Sequence, residues 1–472
     1  MKEKLKKYVD KFNKDDNEYY KQDIDNENAY EWLLKNIPLI EIPDKTIEEI
    51  YYFRWWVFRK HIKKTEDGYV ITEFLPPVPW GGKHNTIIAA AGHHIDEAKW
   101  LKNCKEITDD YITFFMEEKT KTYLYSSWLI WSYFEYSAHI NDYNRAIELL
   151  PLFVNYYNKV KNEHITEEGL MWSVDNNDAM EYSISGTTSE LQPVKGIRPT
   201  LNSYMAANAL AISKLAKLNG DKKLSCEFYS EYETLKNKIN DTLWDKDFYK
   251  AKHNDNPECD VKELIGYIPW CFNLPPSGRE DTFRLLLNDN GFNSPYGFTT
   301  AEKTHSRYLY SNPTHECLWN GYIWPFATSQ TLNAVLNLID NYSNDIITCD
   351  DFYSMLKTYA KSHYLTENGK TVCWIDEVKD PCNNEWSSRN ILKEWGWLYE
   401  KGGKERGKDY NHSTFCDLVL KGLLGIGFEN GEIKINPHLP SSISEFRVEN
   451  LWNNGEKYKI NYKNGMSTID KE

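Results

Sequence analysis

Two short stretches of this chain set carboxylic acids among aromatic and turn-forming residues: Asp175-Asn-Asn-Asp178-Ala-Met-Glu181 and Trp374-Ile-Asp376-Glu377. Neither has the spacing of a solvated helix face. Two carboxyl groups brought together from distant loops are the minimal apparatus for cleaving a glycosidic bond: one protonates the leaving oxygen while the other activates water. The first stretch follows Trp172 and is succeeded by Gly186 and an Arg198-Pro199 step, after which Thr200 or Asn202 can cap a helix. An arginine there could hold a carboxylate or a sugar hydroxyl. On composition alone, a capped surface loop explains the stretch about as well. In the second stretch, adjacent Asp376 and Glu377 point in different directions on any regular backbone, so one of them is expected to face a cavity.

Aromatic residues make up 15% of the chain, with 17 Trp and 33 Tyr. Core packing claims most of them. Several, however, sit beside Gly, Asn or Pro, as Trp80 does in Pro79-Trp80-Gly81-Gly82, and Trp319 and Trp324 in Trp319-Asn320-Gly321-Tyr-Ile-Trp324-Pro325. An indole face can stack on the C–H groups of a sugar ring while polar neighbours bond its hydroxyls. For Trp319 and Trp324, packing in the core is the even alternative. His412, in Tyr410-Asn411-His412-Ser413, reads equally well as a substrate contact or as a residue that orients a neighbour. His93-His94 and His305 with His315 lack metal-ligand spacing. Ser413 has no nucleophile elbow, and no glycine-rich phosphate loop opens a helix. No metal and no cofactor is expected.

The elements that must carry these residues are mostly helical. Asp221 opens a helix with apolar positions at Leu224, Phe228, Tyr232, Leu235 and Ile239. The helix before it, from Asn202, stops at Asn219-Gly220 and completes an αα-hairpin. Similar patterns predict helices over 47–62, 87–101, 123–140, 326–338 and 352–363, and a further helix capped by Asn411 or Ser413 and running through Leu424. Long Gly-, Asn-, Pro- and Trp-bearing loops separate them, which favours a toroid of helical hairpins over a sheet-centred fold. After Gly427 the pattern alternates with period two and predicts a small antiparallel β appendage. The expected division is a helical lead-in over 1–45, a catalytic domain over 46–426 and a β cap over 427–472.

Composition excludes several function classes. With 472 residues, 27% charged and 41% hydrophobic, the chain has enough material for a large folded core. A formal net charge of −14 disfavours nucleic acid and anionic membrane as partners. No apolar run follows the basic first residues, and none approaches a membrane span, so the expected location is cytoplasmic. Nine dispersed cysteines without C-x-x-C spacing read as reduced thiols. The oligomeric state is left open.

Several of these segments resemble a clan of inverting glycosidases built on (α/α)6 barrels, comprising glycoside hydrolase families 63 and 37. The resemblance is strongest to mannosylglycerate-hydrolase-like glycoside hydrolase domains. It rests on Tyr52-Phe-Arg54-Trp55-Trp56, on Trp319-Asn320-Gly321 through Trp324-Pro325-Phe326, and on Arg406-Gly-Lys-Asp409-Tyr410-Asn-His412-Ser. It implies a mainly α fold, an (α/α)6 barrel with the small C-terminal β appendage, acting on an oligosaccharide or glycoside. Ala179-Met180-Glu181-Tyr-Ser183 is similar to the Gly-Trp-Asp-x-Ser stretch of the general acid, which implies Glu181 as acid with Asp178 the alternative. Glu377-Val-Lys-Asp380-Pro381 is similar to the Glu-Asn-Tyr-Asn-Pro stretch of the base, which implies Glu377. Arg54, Trp55, Trp80, Trp172, Asp178, Arg198, Trp319, Asn320, Trp324, Trp374, Tyr410 and His412 are the expected substrate contacts. The expected reaction is exo-acting hydrolysis with inversion. A sugar phosphorylase, a sugar epimerase and an inactive carbohydrate-binding barrel are the alternatives.

Overall fold

The computed structural model describes residues 1–253, 256–311 and 314–472. Its body consists of helix pairs in which one member is buried on nearly every side and the other along one stripe. Pro199–Leu218 is of the first kind, with Leu201, Met205, Ala209, Ile212 and Ala216 all buried, and a helix apolar all round belongs inside. Pro199 occupies its first turn, where the missing amide is not needed. Its partner Lys222–Thr242 buries Phe228, Tyr232, Leu235 and Ile239. The partner starts where the Asp221 carboxylate accepts the Leu224 amide at 3.0 Å, after a turn in which Gly220 has a φ of +78°. Pro325–Asn341 and Cys349–Ser362 repeat the arrangement, the second opening in a capping box between Thr348 and Asp351.

Packing runs from neighbour to neighbour. Ala91–Ala98 lies against Leu129–His139, which lies against Pro199–Leu218; the short helix Ile268–Cys271, then Pro325–Asn341 and Cys349–Ser362 follow, and the last meets Lys45–His61. The buried segment 411–417 is held by helices from both halves of the chain. Arg54 donates to the Ser413 carbonyl, His94 to the Asn411 carbonyl at 2.6 Å, and Ser329 accepts the Thr414 amide at 3.1 Å. The Glu97 carboxylate accepts the amides of Phe415, Cys416 and Asp417. Those amides open the π-helical turn Leu418–Leu423, so a carboxylate meets donors that would otherwise be orphaned at a helix start. The cap is therefore Glu97. Neither Asn411, which donates to Thr72, nor Ser413, which accepts from Tyr359, takes that role.

Two other expectations shift. The pattern over 87–101 resolves into a 3-10 turn at Ile88–Ala90 and a helix only over Ala91–Ala98. The pattern over 123–140 becomes a helix at Leu129–His139, because Ser126 is drawn out to the Asn177 carbonyl (2.7 Å) and the Asp178 carboxylate (2.7 Å). The C-terminal strands Glu445–Asn453, Glu456–Lys463 and Met466–Lys471 form an antiparallel sheet whose fourth strand is Leu39–Glu41, with Ile40 opposite Val448. The two ends of the chain thus share one sheet, and the lead-in and the cap are joined. A separate hairpin, Ile426–Glu429 with Glu432–Ile435, precedes them. None of the nine cysteines is paired, and no helix among the described residues is long and apolar enough to cross a membrane.

Candidate active site

The acid-rich loop after Trp172 is closed at its base by the short pairing of Trp172–Ser173 with Gly196–Ile197. Inside it, Asp178 is wholly committed. It accepts from Arg198 Nε at 2.7 Å, from Ser126 Oγ at 2.7 Å and from Thr200 Oγ1. Both members of the Asp178–Arg198 pair are fully buried. Arg198 also donates to Ser185, whose hydroxyl and amide go to Glu263. This network anchors the loop. On either side of Met180-Glu181, Ala179 and Tyr182 adopt left-handed backbone (φ +56° and +60°), which buries Met180 and turns Glu181 towards the cavity. The Glu181 carbonyl accepts the Trp319 amide at 3.1 Å, joining this loop to the one before Pro325–Asn341.

The second stretch leaves the hairpin Tyr364–Glu367 with Lys370–Cys373. Asp376 turns inward, accepting the Glu377 amide at 2.9 Å and Trp374 Nε1 at 3.2 Å. Glu377 faces the cavity and accepts from Arg406 Nη2 at 2.5 Å. Arg406 is brought there because the chain passes very close to Asp376 at Gly407: a Cβ on that glycine would lie 2.0 Å from Asp376 Oδ1. The same guanidinium reaches Glu316 at 2.9 Å, and Glu316 also takes Lys401 at 2.9 Å.

Glu181 and Glu377 line one cavity of about 340 Å³. Trp80, Trp324 and Tyr410 line it too, with Trp324 stacked on Trp319 (centroids 4.2 Å apart) and Tyr410 against His412 (3.7 Å). The remaining expected contacts lie outside the lining. Arg54 is buried on Tyr359, His363 and the Ser413 carbonyl. Trp55 is wholly in the core, between Tyr51 and Phe58. Trp172 stacks under Lys195 and beside His164, and Asp178 and Arg198 form the loop anchor. Trp319 and His412 back the cavity's aromatic wall, Asn320 donates to the Tyr310 carbonyl, and Trp374 lies beneath Arg389 and Lys408. The residues missed by sequence reasoning include Glu73, Tyr125, His315, Glu316 and Arg406. Two carry the signal used elsewhere: Glu73 is an acid beside Phe74 and two prolines, and Glu316 immediately precedes Cys317-Leu-Trp319.

Burial dominates the electrostatics of this cavity. It pushes Glu181 up to about 7, with Asp175 and Glu377 adding to the rise. It pushes Glu377 up to about 7 as well, against the pull of Arg406, the largest opposing influence. Burial also opposes ionisation of Glu316, but Arg406 and Lys401 outweigh it and hold that carboxyl below its usual range. The difference between the two facing glutamates is therefore one of partners. Glu377 has a guanidinium on it and Glu181 has none, an arrangement that favours charge on the first and a proton on the second. Among the described residues, Glu66, Asp67 and His84 form the group that could converge on a metal ion. They lie outside the cavity lining, and Asp67 already holds Lys83 and His84.

Residues 83–413 match the model of the mannosylglycerate hydrolase MGH1-like glycoside hydrolase domain. The chain belongs to that family. A solved structure titled Sialidase is 32% identical with a TM-score of 0.90, covering 100% of this chain and 43% of its own. A family GH78 rhamnosidase of Bacillus sp. GL1 (14% identity, TM-score 0.57) covers 91% of this chain and 40% of its own. A GH63 mannosylglycerate hydrolase from Thermus thermophilus (11% identity, TM-score 0.54) covers 78% and 98%. An uncharacterized protein of Borreliella burgdorferi is 32% identical over 177 residues, 36% of each chain. This chain thus spans less than half the length of the sialidase-titled chain, and its match to the Borreliella protein covers little more than a third of that protein. The low-identity structures share its fold.

Proposed function

We propose that this glycoside hydrolase domain is an inverting, exo-acting glycosidase on a six-hairpin (α/α)6 barrel, with Glu181 as general acid and Glu377 as general base. The observation that carries this reading is the pair of glutamates from distant loops lining one cavity, only one of them bonded to a guanidinium. In the reaction, Glu377 takes a proton from water as the water oxygen attacks the anomeric carbon. The bond to the leaving oxygen breaks, its electron pair stays on that oxygen, and Glu181 delivers a proton to it. Glu377 ends protonated and Glu181 ionised, and both return to their starting states through solvent. For one water to fit between them, their carboxyl groups need a separation of about 6.5–9.5 Å. Trp80, half-buried at the cavity wall, and Trp324 are the proposed sugar platforms.

The charge of the lining supports an uncharged terminal sugar. Among the described residues of the lining, Glu73, Glu181, Glu316, Glu377 and Glu400 stand against two cations, Lys401 and Arg406. Both cations are already engaged by glutamates. A sugar carboxylate, such as sialic acid carries, would enter without a counter-charge and at a desolvation cost. The same shortage weighs against a phosphorylase, which must bind inorganic phosphate. An epimerase built on His412 is disfavoured because that ring lies behind Tyr410, where burial pushes its pKa well below the usual value. The experiment is a screen of aryl glycosides of neutral and acidic sugars, with Glu377→Gln as control. Release from a neutral glycoside that the variant abolishes supports the reading. Release only from sialosides or only with phosphate present refutes it.

A further inference from the structure

Glu73 is a cavity carboxyl that a two-acid mechanism does not use. It follows the strand Gly68–Ile71 and is only 6% exposed. Its position is fixed twice from one place, 337 positions along the chain: Tyr410 Oη donates to Glu73 Oε1, and the Asn411 amide donates to the Glu73 carbonyl at 3.0 Å. Oε2 is also buried, yet no group among the described residues bonds it. Glu73 lines the same cavity as Glu181 and Glu377. A buried polar atom without a partner is costly, and one that faces a cavity can be completed by a ligand. Among the described residues that line the cavity no cation is free to do so, because Arg406 is held by Glu316 and Glu377 and Lys401 by Glu316.

The groups that act on Glu73 are Tyr410, Glu377, Glu181 and Arg406, and Tyr111 and Tyr125 sense its charge in turn. Burial is the largest influence and, with the two glutamates adding to it, pushes Glu73 up to about 8 despite the Tyr410 hydrogen bond. Near neutral pH the carboxyl thus keeps its proton and can donate from Oε2 while Oε1 accepts from Tyr410.

Building on the glycosidase reading, we propose that Glu73, held by Tyr410, reads one hydroxyl of the bound sugar ring, Oε2 making the hydrogen bond that the described residues leave unmade. Glu73 is then a specificity-determining residue, separate from the acid and the base. It discriminates against a sugar that lacks that hydroxyl or carries it on the opposite face.

The test is made by calorimetry in the Glu377→Gln background, which binds without turnover. D-Glucose, D-mannose, L-rhamnose and L-arabinose are titrated, then each monodeoxy derivative of the tightest binder. One deoxy position is expected to lose affinity on the order of 10- to 100-fold. Adding Glu73→Leu should erase the penalty at that position alone. Adding Glu73→Gln, which keeps an oxygen for Tyr410 and a donor for the sugar, should preserve it. Affinity for the parent sugar should change as pH rises through the ionisation of Glu73, which loses one raising influence when Glu377 is neutralised, and should not change there in the Glu73→Gln variant, whose amide does not titrate. Thermal unfolding of each variant confirms that it is folded. Penalties that are the same at every position with and without Glu73 overturn the proposal while leaving the glycosidase reading standing. Failure of every sugar to bind the folded Glu377→Gln protein overturns both.

Discussion

Replacing Glu377 by Gln removes one proton acceptor and leaves the shape almost unchanged. The amide oxygen can still accept from Arg406 Nη2, now at 2.5 Å from the carboxylate, and Arg406 keeps Glu316 at 2.9 Å as its counter-charge. The buried guanidinium is therefore not stranded, and the stability cost should stay within about 1–3 kcal/mol, that of one weakened buried hydrogen bond. The catalytic cost should be far larger. General base catalysis by a positioned side chain contributes about 10²–10⁴ in rate, so kcat on the best aryl glycoside should fall by that factor while KM changes little. A second readout is independent of the absolute rate. The base must be ionised, and burial has pushed Glu377 up to about 7, so kcat/KM of the wild type should fall as pH drops below that value. Gln has no such titration, and the acidic limb should vanish from the residual rate. Added azide, a nucleophile that needs no base, should restore turnover and yield the glycosyl azide of inverted configuration. A folded variant within ten-fold of the wild-type rate, with the acidic limb intact, refutes the assignment.

Three further outcomes are expected. Glu181→Gln should cost about 10²–10⁴ on a methyl glycoside, whose leaving oxygen needs a proton, and much less on a dinitrophenyl glycoside, whose leaving group does not; equal losses on both would contradict an acid role. Asp178→Asn strands the fully buried Arg198 and should destabilise the protein by about 3–5 kcal/mol in chemical denaturation, whereas lost activity at unchanged stability would give Asp178 a part in the chemistry. Glu73, Glu181 and Glu377 are raised to about 8, 7 and 7 from an ordinary 4.5. The folded state thus holds more protons than the unfolded one between those limits, and their contribution to stability is fully present below about pH 4.5 and lost as pH rises through 7 to 8. Thermal unfolding midpoints should accordingly decline across that window, and Glu73→Gln should flatten the decline; a midpoint that rises there would contradict the upward shift that burial imposes on these carboxyls.

Local chemistry was legible in the sequence and long-range pairing was not. Asp221 as a cap, Pro325 in a first turn, and the stripe from Phe228 to Ile239 each express themselves within a few residues, whereas Thr200 and Asn202, expected as caps, lie inside a helix that already starts at Pro199. The two acidic stretches lie in loops that each put a glutamate on one cavity, as their turn-forming neighbours suggest. The tryptophan reading failed where polar neighbours serve the backbone. Asn320 and Gly321 beside Trp319 shape a turn, with Gly321 at φ +126° and Asn320 bonded to the Tyr310 carbonyl, while the indole itself goes behind Trp324. Arg54 and His412 look like site residues because they are polar in an aromatic setting, but they serve to hold or pack the buried segment 411–417. Glu73 and Tyr410, like the strand Leu39–Glu41 and its partner Glu445–Asn453, meet only through the completed fold.

The most direct test of the account is the proton NMR spectrum of the sugar at the moment of its release. With a neutral aryl glycoside that the wild type cleaves and Glu377→Gln does not, the first anomer to accumulate should have the configuration opposite to the substrate, before mutarotation mixes the two. A first-formed anomer that retains the substrate's configuration would contradict single displacement by Glu181 and Glu377, and with it the central claim.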